Sequence, residues 1–142
     1  MRRRIRAPFA AALLLAAANP VLAAAEEDHV LAALRAEIAR VNALPPDRRS
    51  VKADATICGS LEQWHQAVRA LMEGDLARMA AAPGCARLRR PVRVEVRGFP
   101  NPLSAQVRLV DPPDGVAAAG YTMPSAIVDS RAAQGGAERP GP

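Results

Sequence analysis

The two cysteines of this 142-residue chain, Cys58 and Cys85, are the residues whose chemistry is most readily inferred. A pair of thiols forms a structural disulfide in an oxidising compartment, whereas a metal site or a reactive thiol needs further ligands or an activating neighbour. Neither His29 nor His65 stands at ligand spacing from a cysteine, and there is no Cys-x-x-Cys motif. The pattern favours a disulfide that closes a loop of about 28 residues and contributes roughly 3.5 kcal/mol of stability in the chain-entropy description.

A second candidate for chemistry is His65, which lies beside Trp64 on a predicted helix. A general base needs a partner within hydrogen-bond reach. Glu62 is three residues earlier and Ser60 is close in sequence, so an envelope hydrolase-like enzyme using His65 with Glu62 or Ser60 is one alternative. No nucleophile is in helical register with His65, which favours a boundary histidine, and His29 is expected in solvent. We predict no catalytic, cofactor-binding or metal-binding residue.

Arginines are concentrated in one short stretch, at Arg87, Arg89, Arg90, Arg93 and Arg97. This run is either the solvated face of a strand or a contact for an anionic partner: an acidic protein surface, lipid headgroups or a cell-wall polymer. Aromatic residues make up only 3% of the sequence. Nucleic-acid binding, which needs a broad basic footprint and often stacking aromatics, is therefore not expected.

Four residues in the second half of the chain are candidate partner contacts: Arg93, Arg97, Phe99 and Tyr121. Aromatic residues in so aromatic-poor a chain usually belong to the core. Phe99 is a candidate exception, because it lies between Gly98 and Pro100 in a predicted turn. Exposure there would mark a contact site.

Residues 1–25 have the parts of a secretory signal peptide. Four arginines within the first six residues precede an uncharged run from Ala7 to Ala18, and Asn19-Pro20 breaks that run. Small residues allow cleavage after Ala23 or Ala25. A run of about a dozen residues is short of the 20 that span a bilayer, so no membrane span is expected after cleavage. Loss of the four arginines lowers the formal charge from +5 to +1.

Residues 26–44 are predicted as an amphipathic helix, and Pro45-Pro46 ends it. Its apolar stripe repeats at a 3-4-3 spacing and consists of Leu31, Leu34, Ile38 and Val41. The stripe either packs on the domain or contacts a partner. Self-association through it gives a third hypothesis, an oligomeric structural scaffold. Residues 45–57, with their prolines and charges, are predicted as a linker.

Residues 58–85 predict a helical hairpin closed by the disulfide. Ser60 with Gln63 forms a capping-box pattern at the start of the first helix. Gly74 is a helix stop and Asp75 a new N-cap, which begins a second helix over residues 76–82.

From residue 86 the hydrophobic period changes to 2. Val92, Val94 and Val96 alternate with charged residues, as a strand with one buried face requires. Residues 98–102 are predicted as a turn and residues 104–110 as a second strand. Residues 116–121 are a candidate third strand, and residues 123–128 a short strand or helical turn. Residues 129–142 carry no apolar pattern and are predicted as a disordered tail.

The short valine-rich strands, Val107-Arg108-Leu109 before a Gly-bearing turn, and Gly120-Tyr121-Thr122 near the close together resemble a bacterial SH3-type small β-barrel. The resemblance covers residues 85–128. It implies a small antiparallel barrel that binds peptides or cell-wall components. The chain departs from that family in lacking the cluster of aromatics that lines the ligand groove.

The sequence as a whole predicts an α+β fold: an N-terminal amphipathic helix, a disulfide-closed helical hairpin, and a small antiparallel sheet or SH3-like barrel. The globular domain is expected over residues 58–128. The leading functional hypothesis is an exported, non-enzymatic binding or accessory protein of the cell envelope, periplasmic or secreted. Its expected partner is a protein or an anionic envelope component, and no cofactor is expected.

Overall fold

The computed structural model describes residues 20–135 of the chain and the side chains of residues 24–133. The chain divides into two compact units, residues 1–33 and residues 34–142, and the features below belong to the second unit unless stated otherwise. The helices are α1 (Pro20–Ala43), α2 (Leu61–Met72), α3 (Leu76–Ala80) and α4 (Ser130–Gly135). The strands are β1 (Arg49–Val51), β2 (Thr56–Cys58), β3 (Cys85–Arg87), β4 (Val92–Asn101), β5 (Ser104–Leu109), β6 (Ala119–Thr122) and β7 (Ile127–Asp129).

The seven strands form one curled antiparallel sheet, a half-barrel, in the order β3-β2-β6-β5-β4-β1-β7. Together with the helices this gives the mixed α+β class that the sequence predicts. The long β4–β5 hairpin forms the middle of the sheet, and its register shifts twice, between Val96 and Gly98 and between Gly98 and Asn101. Curling turns one face of the sheet inward, where the main core lies.

Buried and exposed residues alternate along β4 and β5, and the buried ones contribute to that core. Val92, Val94, Val107 and Leu109 are buried, whereas the residues between them are exposed. The rest of the cluster comes from short elements on both sides of the hairpin: Val41, Val51, Ala55, Ile57, Leu88, Ala105, Ala126 and Ile127. Arg40 in α1 secures the connection between β6 and β7, since its Nη2 donates to the carbonyl oxygens of Ile127 (2.7 Å) and Pro124 (3.3 Å).

A second, smaller core lies between α2 and the sheet and is centred on Trp64, which is 1% exposed. The Ser60 hydroxyl accepts a hydrogen bond from the backbone N–H of Gln63 (3.2 Å) and starts α2 as an N-cap. The indole Nε1 of Trp64 donates to the carbonyl oxygen of Leu103 (3.2 Å). This bond satisfies the one polar atom of a buried indole and ties the helix to the end of the β4–β5 hairpin.

The predicted disulfide is confirmed: Cys58 and Cys85 are bonded, with an S–S distance of 2.02 Å. The two residues are directly opposite each other in the β2–β3 ladder. The crosslink therefore joins the two ends of the segment that contains α2 and α3. On the other side of β2, a Cβ on Gly120 would lie 2.5 Å from the carbonyl oxygen of Cys58, so β6 approaches β2 at a distance that only glycine permits.

The segment predicted as a linker, residues 45–57, contains a 3-10 turn (Pro46–Arg48), β1 and the start of β2. Ser50 and Val51 in it are buried. β1 pairs with β4 and β7, which come from distant parts of the chain. Composition alone therefore predicts a linker where the fold places a strand that is paired on both sides. The predicted turn over residues 98–102 also differs, because β4 continues to Asn101.

The predicted disordered tail, residues 129–142, begins within ordered structure. Asp129 ends β7 and pairs with Arg48, with Nη2–Oδ2 at 2.5 Å. Ser130 begins α4, and its hydroxyl lies 2.7 Å from the Ser50 hydroxyl of β1 in a buried contact. Residues 136–142 lie outside the described residues.

The predicted signal peptide lies largely outside the described residues. The helix expected over residues 26–44 is α1, whose bounds are Pro20–Ala43. None of the helices in the described part of the chain combines the length and apolar character needed to cross a membrane.

Candidate functional site

The predicted arginine run is divided by the fold between two surfaces. Arg93 and Arg97 are exposed on β4. Arg87 lies in β3, at the far edge of the sheet, where its Nη2 is 3.2 Å from Oδ1 of Asp54. Arg89 and Arg90 are exposed in the connection between the two strands. A contact site built from the run as a whole is therefore not formed.

The outer face of the β4–β5 hairpin instead collects four charged side chains, which we call the arginine face: Arg93, Glu95, Arg97 and Arg108. Glu95 is directly opposite Arg108 in the ladder. Its Oε2 lies 3.3 Å from Nη2 of Arg97 and 3.9 Å from Nη1 of Arg108, and all three side chains are more than half exposed. The face thus carries three cations and one anion, and the anion pairs with two of the cations. Arg108 was missed by sequence reasoning, although its position between the inward Val107 and Leu109 indicated an outward side chain.

Arg93 is held at one end of this face. Its Nη2 donates to the carbonyl oxygen of Asp47 (2.9 Å), in the 3-10 turn before β1. This contact orients the guanidinium while leaving the side chain exposed. The exposed ion pairs of Glu95 with Arg97 and Arg108 contribute little to stability, so the arginine face is available for other contacts at small energetic cost.

Phe99 and Tyr121 are half-buried, and they lie in different clusters. Phe99 packs against the main core from β4. Tyr121 packs in the cluster around Trp64, on β6 opposite Cys58. Each ring has a structural role. Tyr121 is directly opposite Gln106 in the β5–β6 ladder, which places it on the side of the sheet that carries Arg108.

The four residues of the apolar stripe predicted on the N-terminal helix do not share one environment. Val41 is fully buried in the main core, and Leu34 and Ile38 are half-buried. Leu31 belongs to the other unit, residues 1–33. The C-terminal part of the stripe therefore packs within the domain, which is the structural alternative that the sequence left open.

His65 is exposed on α2 and lies near Asn101 rather than near the predicted partners. The Asn101 amide Nδ2 is 3.2 Å from His65 Nε2, and its Oδ1 accepts from the backbone N–H of Leu103 (3.0 Å). This orientation makes the amide the donor and the imidazole nitrogen the acceptor. The Ser60 hydroxyl is engaged as the N-cap of α2. The geometry does not assemble the catalytic pair that the enzymatic alternative requires.

A cleft of about 380 Å³ lies between α2–α3 and the edge of the sheet. Its helix wall is apolar and consists of Trp64, Leu71, Leu76, Met79 and Ala80. Its sheet wall carries polar side chains, those of Lys52, Asp54, Thr56, Arg87, Thr122 and Ser125. Sequence reasoning missed the cleft because these residues come from separate segments, one of them the predicted linker, residues 45–57.

The ion pair between Arg48 and Asp129 shifts the pKa values of both of its groups. The hydrogen bond from Arg48, aided by the backbone N–H of Arg131, holds the pKa of Asp129 below its usual range. The same bond raises the pKa of Arg48. The pair joins the turn before β1 to the end of β7, which is an edge strand of the sheet. It therefore belongs neither to the arginine face nor to the cleft.

The described residues contain no group of three or more His, Cys, Asp or Glu side chains that could hold a metal ion. Comparison of the chain with protein-family models, curated proteins and solved structures gives no match. The SH3-type resemblance consequently extends only to the presence of a small, curled antiparallel sheet.

Proposed function

We propose that this protein is an exported, non-enzymatic binding or accessory protein of the cell envelope, which contacts an acidic protein surface through the arginine face. The observation that supports this most directly is the placement of three exposed arginines on one face of the central hairpin, two of them paired with Glu95. Guanidinium groups bind carboxylates in a bidentate geometry, and strands hold their side chains at fixed spacing. The central hairpin of a curled sheet is a rigid base for such contacts.

Glu95 favours a protein partner over a lipid surface. An anionic membrane would repel its carboxylate, whereas an acidic protein surface can place a single cation against Glu95 and carboxylates against Arg97 and Arg108. Mixed complementary charge of this kind confers specificity and speeds association.

The disulfide indicates a non-cytoplasmic, oxidising compartment. The predicted signal peptide in residues 1–25 is consistent with export, and we therefore propose a periplasmic or secreted location. Within this proposal, the curled sheet serves as a binding platform.

The test compares amide exchange at β4 and β5 with and without soluble envelope extract. Two variants carry the same change in charge: Arg97→Gln/Arg108→Gln on the arginine face, and Arg69→Gln/Arg78→Gln on α2 and α3. We expect slower exchange on addition of extract for the wild type and for the helix variant, with loss of the effect in the face variant and in 0.5 M salt, as surface electrostatics require.

Three outcomes would count against the proposal. Exchange at β4 and β5 that is unchanged by extract removes the arginine face as a contact site. Equal loss in both variants shows a general charge effect. Protection by anionic phospholipid vesicles, but not by lipid-free extract, would identify a membrane rather than a protein.

A further inference from the structure

The cleft between α2–α3 and the sheet has one apolar wall and one wall that carries polar side chains, as the binding of an amphipathic ligand requires. Its helix wall is apolar throughout, and Leu76 on that wall is 65% exposed. Its opposite wall presents two cations, Lys52 and Arg87. A volume of about 380 Å³ lies within the range of small-molecule sites, which are concave, largely apolar and provided with a few polar groups.

The charges at the rim favour an anionic group. Asp54 is the single acid on the lining, and it is paired with Arg87 at 3.2 Å. Lys52 has no acidic partner within 4.0 Å among the described side chains. The backbone N–H of Lys52 donates to the carbonyl oxygen of Ala126 (2.9 Å), which places Lys52 beside the exposed Ser125. An ammonium and a hydroxyl thus lie on the polar wall, opposite the apolar helix wall.

We propose that this cleft binds a small amphipathic anion, a carboxylate with a single medium-length acyl chain. The acyl chain lies along Leu71, Leu76 and Met79, over the Trp64 indole. The carboxylate lies at the rim, where it accepts from Lys52 and Ser125. This inference concerns a different surface from the arginine face and does not depend on the proposed function.

The protein contains one tryptophan, and that residue lines the cleft. A bromine atom quenches indole fluorescence on close contact, so the probe is decanoate with a bromine on its terminal carbon. The matched probes are the corresponding bromodecanol and bromodecyltrimethylammonium, which keep the chain and change the head. Each is titrated, below its micelle concentration, into protein with its disulfide intact. We expect saturable quenching of Trp64 by the carboxylate, weaker quenching by the alcohol and the weakest by the cation.

Two variants separate the roles of the walls, and both change exposed side chains, so the fold is retained. Lys52→Gln weakens the carboxylate by about two- to fivefold and leaves the alcohol unchanged, because a partly exposed charge pair is worth up to about that factor. Leu76→Gln weakens all three probes, by about tenfold if the leucine is buried on binding. Arg97→Gln/Arg108→Gln, which lies outside the cleft, leaves all three unchanged.

Equal quenching by the three heads, or an unchanged carboxylate affinity in Lys52→Gln, would overturn the assignment of an anionic ligand. Absence of saturable quenching by the carboxylate up to millimolar concentration would overturn the site itself. Quenching that survives Leu76→Gln without loss would show that the chain does not lie in the cleft. None of these results bears on whether the arginine face binds an envelope partner.

Discussion

Replacing both cysteines, as Cys58→Ala/Cys85→Ala, removes a crosslink between residues 27 apart in the chain. The loop-closure entropy released to the unfolded state corresponds to about 3.5 kcal/mol. Small domains have a total stability of about 5–15 kcal/mol, so this loss is a large fraction of it and lowers Tm by about 10–20 °C. The effect should concentrate near β3, which is at the end of the sheet order and pairs with β2 alone.

The assay is urea unfolding followed by Trp64 fluorescence, with the free energy taken from the midpoint and the slope. Reductant should lower the midpoint of the wild type towards that of the variant and leave the variant unchanged. Native-state amide exchange should show β3 opening more readily than β5. A loss below about 1 kcal/mol, or a variant that still responds to reductant, would refute the reasoning that the disulfide acts on the unfolded chain.

Two further predictions concern single side chains. Because the folded pKa of Asp129 is lowered, its charged form stabilises the fold above the unfolded pKa, near pH 4, and the contribution is lost as pH falls through the lower folded value. Asp129→Asn should therefore unfold at lower urea than the wild type at pH 7, and the difference should shrink as pH falls below about 4; a difference that stays constant on acidification contradicts the ion-pair origin. Gly120→Ala places a Cβ 2.5 Å from the Cys58 carbonyl oxygen and should cost about 2–3 kcal/mol in thermal or urea unfolding. Gly98→Ala, whose Cβ would meet nothing within 4 Å, is the control, and equal costs would exclude the close approach as the cause.

Sequence reasoning succeeded where local pattern and tertiary role coincide. The alternation of Val92 and Val94 with charged residues predicts β4 because one face of that strand is buried and the other wet. Ser60 predicts the start of α2 because its hydroxyl satisfies a local backbone donor. The cysteine pair predicts the crosslink because only two thiols are present.

It failed where long-range pairing decides the structure. β1, β2 and β3 are three residues long, too short to show a period of 2, and each depends on partners far along the chain. Val51 has the polar neighbours Ser50 and Lys52 and follows a proline-rich turn, so nothing local signals its burial, yet it lies between β4 and β7. The candidate sites were partly missed for the same reason, since Lys52 and Arg108 acquire their neighbours only through the sheet.

The disulfide also links the stability of the fold to the proposed ligand site. The apolar wall of the cleft, including Trp64, Leu71, Leu76 and Met79, lies within the loop that Cys58 and Cys85 close, whereas Lys52, Thr122 and Ser125 on the opposite wall lie outside it. The crosslink therefore fixes the base of one wall against β2, and reduction loosens the apolar wall relative to the polar one. The arginine face on β4 and β5 lies outside the loop and is held by the ladder between those strands. In a reducing environment the cleft should consequently lose its ligand before the arginine face loses its geometry, and this difference in redox sensitivity distinguishes the two surfaces in a single experiment.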